Sequence, residues 1–257
     1  MIARLTMKLG CCLETSLSYQ MSSLFHGFLL EQVDYEYGMY LHQSNLKPFS
    51  QYLLLHKDEA FWVINAFNQE AYEQIIVPML QDELQEIYLK HRDINLPIIE
   101  KTYEMLDVDA LMEQTVCSTC SRYLNIRFAT PTAFKSDGEY VFYPTVRHIF
   151  NSLIQKFDAM NEQLEIYTPE LLNDIEGNLK ISRYNLRSTY FSLEGVKIPA
   201  FVGEITVKVR GPQPLVNIVH LLAQFGEYAG VGIKTAMGMG RIEIVERGEQ
   251  RYAGRTN

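Results

Sequence analysis

The sequence predicts an α+β protein made of two tandem ferredoxin-like (βαββαβ) domains with a C-terminal glycine-rich loop. Its 257 residues suit one large domain or two small ones, and a hydrophobic content of 47% is enough for a packed core. The order strand, helix, strand, strand, helix, strand can be traced twice, as in the ferredoxin-like unit. No Ser- or Pro-rich linker separates the halves, so we expect tightly packed domains over residues 1–115 and 116–257, with the boundary near 112–122.

The first half opens with an alternating strand pattern, IARLTMKL, and continues with apolar residues at helical spacing. The residues predicted to form the core-facing stripe of this helix lie about one turn apart: Leu17, Met21, Leu24 and Phe28. QYLLLHK and AFWVINAF, joined across Asp-Glu, predict a hairpin. QEAYEQIIVPMLQ is typical of a short helix, and NLPIIEKTYEML predicts an extended segment.

The second half repeats the order of elements but not the residues. SRYLNIRFATPTAF predicts a strand ended by Thr-Pro, and PTVRHIFNSLIQKFDAM predicts a helix that opens at Pro144. YNLRSTYFSL and IPAFVGEITVKVRG alternate on either side of EGVK, which predicts a long hairpin. PLVNIVHLLAQFGEYAG predicts an amphipathic helix, and GRIEIVE predicts the last strand.

Charge is distributed unevenly along the chain, whose net charge is −8. Residues 69–113 carry eleven acidic side chains against three basic ones, and residues 158–177 add six acidic side chains and no basic one. Residues 180–210, by contrast, carry six basic side chains against two acidic ones. A polyanion could therefore bind the basic stretch without meeting the acidic segments.

The N-terminal sequence, MIARLTMKLG, has no secretory signal pattern, and no apolar run approaches the ~18–20 residues of a membrane span. We therefore expect a soluble cytoplasmic protein that does not bind membranes.

The cysteines favour ordinary structural thiols. Cys117 and Cys120 form one CSTC pair, whereas a structural zinc site usually takes about four Cys or His ligands in two such pairs. Cys11 and Cys12 are adjacent, which is the wrong spacing for the second pair. A zinc or redox protein that uses Cys117 and Cys120 is the least favoured alternative.

Near the C-terminus the chain concentrates four glycines: Gly230, Gly232, Gly238 and Gly240. The loop is not a Walker A motif, because Ile233 separates Gly232 from Lys234. Nor is it a dinucleotide fingerprint, because it leads from a helix to a strand. Glycines allow positive φ, and successive N–H groups beside Lys234 and Arg241 would form an anion-binding concavity. A helix C-cap followed by a tight turn is the alternative, but it explains only one or two glycines.

Three segments resemble the CRISPR-associated endoribonucleases that cut repeat RNA, which are members of the RAMP superfamily. GVGIKTAMGMGRIEI looks like their C-terminal glycine-rich loop, IRFATPTAFKSDGEYVFYP is similar to their central Thr-Pro-Thr-x-Phe segment, and YLHQSNLKPFS resembles their N-terminal His…Lys segment. The three occur in the expected order between residues 40 and 244. The resemblance implies tandem ferredoxin-like domains, cleavage of precursor CRISPR RNA without a metal or other cofactor, and phosphate contacts at the glycine loop.

His42 and Lys47 are the candidate catalytic pair that this resemblance implies. RNA supplies its own nucleophile, the 2′-hydroxyl, and imidazole can serve either proton transfer because it titrates near neutrality. A lysine ammonium can stabilise the charge that builds on the phosphoryl oxygens. Both residues fall in a polar segment that predicts a loop before a strand, where an ordinary surface histidine is the alternative.

The sequence departs from the family at one position. Many members carry a tyrosine on the first helix facing the histidine, and alignment on HGFL and YLH puts Leu30 there. His26 lies one helical turn earlier on the same face, which is predicted to lie opposite the core stripe. Our hypothesis is that His26 supplies the second proton transfer, with an exposed helix histidine as the alternative and Tyr37 and Tyr40 as weaker candidates.

Further RNA contacts are predicted in the long hairpin, where basic and aromatic residues alternate as suits phosphates and splayed bases. Arg183 and Arg187, four residues apart in a strand, share a face, and Lys197 follows the turn. Lys135 follows TPTAF in a predicted turn. A merely charged outer strand face is the alternative.

The sequence therefore predicts a metal-independent endoribonuclease that cuts precursor CRISPR RNA within the repeat and leaves a cyclic phosphate and a 5′-hydroxyl. Its partner is repeat RNA, hand-over of the product to a CRISPR effector complex is expected, and a homodimer is one open oligomeric state. The main alternative is a non-catalytic RNA-binding RAMP subunit of an effector complex, which the absent tyrosine favours.

Overall fold

The computed structural model describes residues 1–10, 17–57, 59–116, 118–160 and 165–246. The strands are β1 (Ile2–Leu9), β2 (Phe49–Leu55), β3 (Ala60–Ala66), β4 (Glu86–Leu89), β5 (Ile94–Leu106), β6 (Tyr123–Thr132), β7 (Phe134–Ser136), β8 (Glu139–Val141), β9 (Leu179–Leu193), β10 (Val196–Val209) and β11 (Ile242–Ile244). The helices are α1 (Ser22–Gln32), α2 (Tyr35–Gln43), α3 (Gln69–Ala71), α4 (Val77–Leu80), α5 (Val108–Val116), α6 (Val146–Met160), α7 (Pro169–Asn178) and α8 (Gln213–Ala229). A π-helical turn, Tyr72–Ile76, joins α3 to α4, and 3₁₀ turns occur at Tyr19–Met21, Lys90–Arg92 and Thr235–Met237.

Two antiparallel sheets organise these elements into a mixed α+β fold. The first sheet has the strand order β2-β3-β1-β5-β4, and the second has the order β11-β6-β10-β9. Strands β7 and β8 form a separate two-stranded hairpin. In both sheets the first strand of that half of the chain lies in the interior, between two antiparallel neighbours.

Each sheet buries one face under helices. In β1 the alternation predicted from IARLTMKL is confirmed, since Leu5 and Met7 are fully buried in the first core with Phe25 and Leu29 of α1. The second core lies between its sheet and helices α6 and α8, where Phe157 and Phe225 meet edge to face with ring centroids 5.3 Å apart. None of the helices in the described part of the chain combines the length and apolar character needed to cross a bilayer.

Most of the predicted elements are confirmed, but the segment around His42 is a helix and the loop prediction for it is wrong. Asp34 caps α2, because its carboxylate accepts hydrogen bonds from the N–H groups of Glu36 and Tyr37. Tyr37 and Leu41, one turn apart, are buried and anchor the helix to the first core. Local capping and packing thus order a stretch whose polar end suggested a loop.

Contacts between the halves fix their relative position. The Arg4 guanidinium lies 4.1 Å from the ring centroid of Tyr228 on α8 and donates a hydrogen bond of 3.0 Å to the carbonyl of Glu227. Asn65 of β3 donates to the Tyr228 carbonyl at 3.0 Å. Near the tip of the β9–β10 hairpin, the Gln20 amide bonds the carbonyl of Tyr190 and the N–H of Ser192. These polar contacts tie the first half to both α8 and the long hairpin.

Candidate active site

A cleft of about 750 Å³ opens where α1 and the end of α2 meet the glycine-rich loop and the turn between β9 and β10. Four residues proposed from the sequence line this cleft: His26, His42, Lys47 and Lys234. They come from α1, α2, the segment before β2, and the loop after α8. Two imidazoles and two ammonium groups from distant parts of the chain therefore share one concave surface.

His42 occupies the last turn of α2, and its side chain is exposed at the edge of the cleft. Tyr37 and Tyr40 on the same helix do not line the cleft in the described structure. Tyr37 is buried, and burial raises the pKa of its hydroxyl.

Lys47 is half-buried, and its Nζ donates a hydrogen bond to the carbonyl of Ser44. Burial lowers the pKa of the Lys47 ammonium, and the charge of Lys234 lowers it further. Both lysines line the same cleft. A phosphate placed between them would relieve their mutual repulsion.

His26 is buried, with 8% of its surface exposed, and its ring stacks on Phe49 at a centroid distance of 5.8 Å and an interplanar angle of 8°. The prediction that it faces away from the core is wrong. The buried face of α1 is formed by Ser22, Phe25, His26, Phe28 and Leu29. Of the predicted stripe, Phe28 is buried, and Leu17, Met21 and Leu24 pack partly buried against the same core. The difference arises because the glycine loop covers this side of the helix.

The environment of His26 holds its imidazole neutral at pH 7. Burial is the main cause and the charge of Lys47 the second, and together they lower its pKa to about 4, although a hydrogen bond to the backbone of Ala236 acts in the opposite direction. The buried Nδ1 has no hydrogen-bond partner within the described structure. Such an unsatisfied polar atom is costly in a core and calls for an explanation. A neutral imidazole can accept a proton but cannot act as an acid.

Leu30, which occupies the position of the family tyrosine, is half-buried and lines the same cleft one turn beyond His26. The structure therefore places an apolar side chain where many relatives of the family would offer a hydroxyl. His26, one turn earlier, is the imidazole that α1 presents to the cleft.

The glycines of the loop serve close packing. Their φ angles are all positive: Gly230 65°, Gly232 79°, Gly238 98° and Gly240 74°. A Cβ on Gly232 would lie 2.2 Å from the carbonyl oxygen of Ala133, and one on Gly238 would lie 2.2 Å from the Cβ of Ser22. The loop can therefore reach both Ala133, directly after β6, and α1 only with bare backbone.

The N–H groups of these glycines are already used within the protein, which differs from the predicted anion-binding concavity. Their acceptors are the carbonyl of Gly226 for Gly230, the Ser152 hydroxyl for Gly232, the carbonyl of Thr235 for Gly238 and the carbonyl of Pro131 for Gly240. These amides are consequently not free to cradle a phosphate. The exposed side chain of Lys234, which has a left-handed backbone (φ 58°), is what the loop presents to the cleft.

Arg241 does not face the cleft. Its guanidinium lies 4.5 Å from the ring centroid of Tyr52 and forms an ion pair of 2.5 Å with Glu243, and its side chain is 14% exposed. The predicted phosphate contact of Arg241 is thus replaced by a contact that joins the second half to β2.

The other predicted RNA-binding residues lie outside the cleft. Arg183 and Arg187 are exposed on β9, which is an edge strand of the second sheet. Lys197 lies over the ring of Tyr190 at 4.9 Å, close to the hairpin turn that lines the cleft. Lys135 is exposed on β7, directly after Ala133 and Phe134, which border Gly232.

Of the four cysteines, Cys120 lies in the part of the chain that the structure describes. Cys11, Cys12 and Cys117 lie outside the described residues, and Cys120 is half-buried with its Sγ 3.2 Å from the Ser118 hydroxyl. Within the described part of the chain, no three His, Cys, Asp or Glu side chains gather as a set of metal ligands.

Two buried polar residues beside the site were missed in the sequence. Gln51 on β2 donates to the carbonyls of Ser22 at 2.9 Å and of Ala236 at 3.0 Å, and so ties α1 to the loop. Lys156 on α6 lies beneath the loop. The signal for Lys156 was available, because it follows Leu153 by three residues within the apolar stripe of an amphipathic helix.

Comparison with known proteins agrees with this picture. The family model of CRISPR-associated endoribonuclease Cas6 matches residues 126–242. The Cas6 of Streptococcus thermophilus is 36% identical over 224 residues, covering 87% of this chain and 90% of that protein. The Cas6 of Mycobacterium tuberculosis (strain CDC 1551 / Oshkosh) is 30% identical over 241 residues, covering 93% of this chain and 76% of that protein.

Solved structures agree in fold. A Cas6 product complex superimposes with a TM-score of 0.79 at 21% identity, over 95% of this chain and 100% of that chain. A Thermus thermophilus Cas6 gives a TM-score of 0.73 at 21% identity, over 95% and 98%. Fold and relatives together define the class of this protein as the CRISPR-associated endoribonucleases, the RNA-cleaving enzymes of CRISPR RNA processing. Within that class the chain belongs to the Cas6 family.

Proposed function

We propose that this protein is a metal-independent endoribonuclease that cuts precursor CRISPR RNA within the repeat by attack of the RNA 2′-hydroxyl on the adjacent phosphorus. The products are a 2′,3′-cyclic phosphate and a 5′-hydroxyl. The observation that carries the proposal is the cleft in which His26, His42, Lys47 and Lys234 converge from both halves of the chain. It holds proton-transfer groups and positive charge, which are the functions that this reaction needs.

The residues divide the reaction between them. The neutral imidazole of His26 accepts the proton of the 2′-hydroxyl as the O2′–P bond forms. His42, at the edge of the cleft, donates a proton to the 5′-oxygen as the P–O5′ bond breaks. Lys47 and Lys234 face the phosphate from the two halves and stabilise the charge on its non-bridging oxygens.

The rest of the RNA is proposed to run from the cleft over the second half. Lys197 lies near the hairpin turn, and Arg183 and Arg187 lie further along the exposed edge strand. Lys135 offers a positive charge on the other side of the glycine loop. Contacts of this kind grip phosphates without reading the sequence, and they make binding depend on salt.

We further propose that each half is a ferredoxin-like domain, over residues 1–115 and 116–257. When β4 and the separate β7–β8 hairpin are left out, each half contributes four strands. Both sheets then arrange the four strands of their half in the order second, third, first, fourth. Repeat RNA is the proposed partner of the site. Hand-over of the product to an effector complex, a homodimer and a cytoplasmic location remain proposals from the sequence.

The test of function is cleavage of a repeat RNA by the purified protein in excess EDTA, with analysis of the ends. We expect full cleavage, fragments with a cyclic phosphate that acid opens, and a 5′-end that polynucleotide kinase labels without prior phosphatase treatment. Cleavage that EDTA abolishes and Mg²⁺ restores would contradict the proposed mechanism.

The alternative function is a non-catalytic RNA-binding subunit of a CRISPR effector complex. The apolar Leu30 favours it, because residue 30 itself offers no hydroxyl to the cleft. The same experiment separates the two functions, since a binding subunit would retard the RNA in a native gel and leave its length unchanged.

The pH dependence of cleavage tests the base assigned to His26. Since its pKa is lowered to about 4, the imidazole stays neutral, and hence active as a base, until the pH falls through that value. The value of kcat/KM reports ionisation of the free enzyme. We therefore expect kcat/KM to decrease on the acidic side only as the pH approaches about 4. Profiles of the wild type and His26→Ala check this. If the variant's single-turnover rate stays within about twofold of the wild-type rate, well below the usual effect of a general base, His26 is not that base.

A further inference from the structure

Lys156 is a buried lysine on the apolar face of α6. Its residue surface is 6% exposed, and its neighbours Leu153 and Phe157 are part of the second core. Lysine is almost never buried to this extent without a partner ion. No ion pair to Lys156 exists among the residues that the structure describes. The protein therefore keeps a costly group at this position, which needs a reason.

The ammonium of Lys156 is directed at the glycine loop. Nζ donates to the carbonyl of Gly230 at 3.0 Å, to the carbonyl of Ala229 at 3.4 Å and to the Thr235 hydroxyl at 3.4 Å. An ammonium has three N–H donors, so all of them find an acceptor. Two of the acceptors are the carbonyls that end α8, where a helix carries partial negative charge.

The third acceptor, Thr235, begins the turn that completes the cleft. Lys234 precedes this turn and faces the cleft. Within the turn, the carbonyl of Ala236 accepts a hydrogen bond from the side-chain amide of Gln51. On α6, Ser152 lies one turn before Lys156 and accepts the N–H of Gly232 at 2.8 Å. Helix α6 thus holds the loop from beneath at two points, and Lys156 is the one that reaches the turn itself.

We propose that Lys156 is a positioning residue of the active site, which clamps the turn Thr235–Met237 against the end of α8 so that Lys234 is held in the cleft and the carbonyl of Ala236 stays bonded to Gln51. Lys156 touches neither the cleft nor the RNA and acts through the loop. The inference rests on the proposed nuclease function, because it gives the loop a task in cleavage.

Because the Lys156 ammonium can lose its proton, this assignment can be tested by changing the pH. Burial lowers the pKa of its ammonium from 10.5 to about 7, and no charged neighbour contributes to the shift. The charged groups on the packed elements have other contacts, since Glu227 accepts the N–H of Ile244, Arg241 pairs with Glu243, and Lys234 faces the cleft.

The sign of the linkage follows from this lowered pKa. Between about pH 7 and 10.5 the unfolded chain keeps the lysine proton and the folded protein does not, so this group makes the folded state more stable as the pH rises through that range. Below pH 7 the full cost of burying the charge is present. Replacement by an apolar residue removes that cost.

The decisive variant is Lys156→Met, with Phe157→Leu as the matched control, because Phe157 is the next residue along α6 and its ring packs edge to face on Phe225 of α8. We expect Lys156→Met to melt at the same or a higher temperature, to exchange the amides of residues 230–240 faster, and to cleave repeat RNA at least about tenfold more slowly at pH 6. Above pH 7 the ratio of wild-type to variant rates should shrink, because the wild type loses the charge there. Phe157→Leu should melt lower and keep the wild-type pH profile.

The outcomes are separable. A misplaced group causes a much larger loss of rate than twofold. If the Lys156→Met variant exchanges the amides of residues 230–240 and cleaves repeat RNA at rates within about twofold of the wild-type rates, Lys156 does not position the loop. If neither Lys156→Met nor Lys156→Gln folds, Lys156 is required for folding and the inference is overturned. If the wild type itself does not cut RNA, the nuclease function fails, while amide exchange still decides whether the loop depends on Lys156.

Discussion

Replacing His42 by alanine is expected to slow single-turnover cleavage of repeat RNA by about 10²- to 10⁴-fold, the usual contribution of a general acid or base. Of the two histidines proposed for the reaction, His42 is exposed at the edge of the cleft and His26 is buried. The loss of His42 leaves the leaving 5′-oxygen without a proton donor. The rate is measured with enzyme in excess over a labelled repeat RNA, so that neither binding nor product release limits it.

His56→Ala is the matched control for this experiment. His56 is exposed and lies edge to face against Phe61 at a centroid distance of 6.1 Å, away from the residues that line the cleft. Its removal should leave the rate within about twofold of the wild-type rate. RNA affinity should be kept in His42→Ala, because Lys47 and Lys234 remain. A His42→Ala protein that cuts as fast as the His56→Ala protein would remove His42 from the mechanism.

The structure also explains which parts of the fold could be predicted from the sequence. Strand β1 and the β9–β10 hairpin were predictable because a period of two in side-chain burial is a local property of the sequence. Residues Glu194 and Gly195, at the tip of the hairpin, have φ angles of 48° and 82°, which suits the tight turn predicted at EGVK. Helix α2 was missed because its stability depends on the Asp34 cap and on the burial of only two side chains.

The state of His26 could not be predicted from local sequence. A helical wheel places its side chain beside Leu30, but whether that side is buried depends on a loop more than 200 residues later in the chain. Gly238 packs on Ser22, and Gln51 bonds both Ser22 and Ala236, so the first half closes over His26 only when the loop docks. The lowered pKa of His26 is a consequence of that long-range contact.

The same dependence on long-range contacts applies to the glycines. Their pattern correctly indicated a bare backbone but not which part of the molecule that backbone contacts. The sequence indicated a bare backbone with a lysine in it, and the structure has Lys234 in the cleft. Bare backbone, however, is needed where the loop meets Ala133 and Ser22, and not for a ligand. Glycine density alone cannot distinguish these cases, because close approach to another chain segment and close approach to a phosphate require the same φ angles.

Replacing Gly232 by alanine should therefore destabilise the folded protein strongly. The new Cβ would lie 2.2 Å from the backbone oxygen of Ala133, and the residue would have to keep a φ of 79°. Neither segment can yield easily, because the neighbouring Ile233 N–H donates to that same Ala133 oxygen at 3.0 Å and Gly232 itself donates to Ser152. We expect the free energy of unfolding to fall by about 3–5 kcal/mol, in the range of substitutions that strain a special backbone site.

Gly138→Ala separates the two causes of this loss. Gly138 has a similar φ of 85°, but a Cβ there would meet nothing within 4 Å, so the variant reports the cost of the backbone conformation alone. That cost should be about 1–2 kcal/mol. Urea unfolding of both variants gives the difference, which measures the close approach of the loop to Ala133. Equal losses would mean that the loop moves away from Ala133 at no cost, and the docked loop could then not be what keeps His26 covered and Lys234 in the cleft.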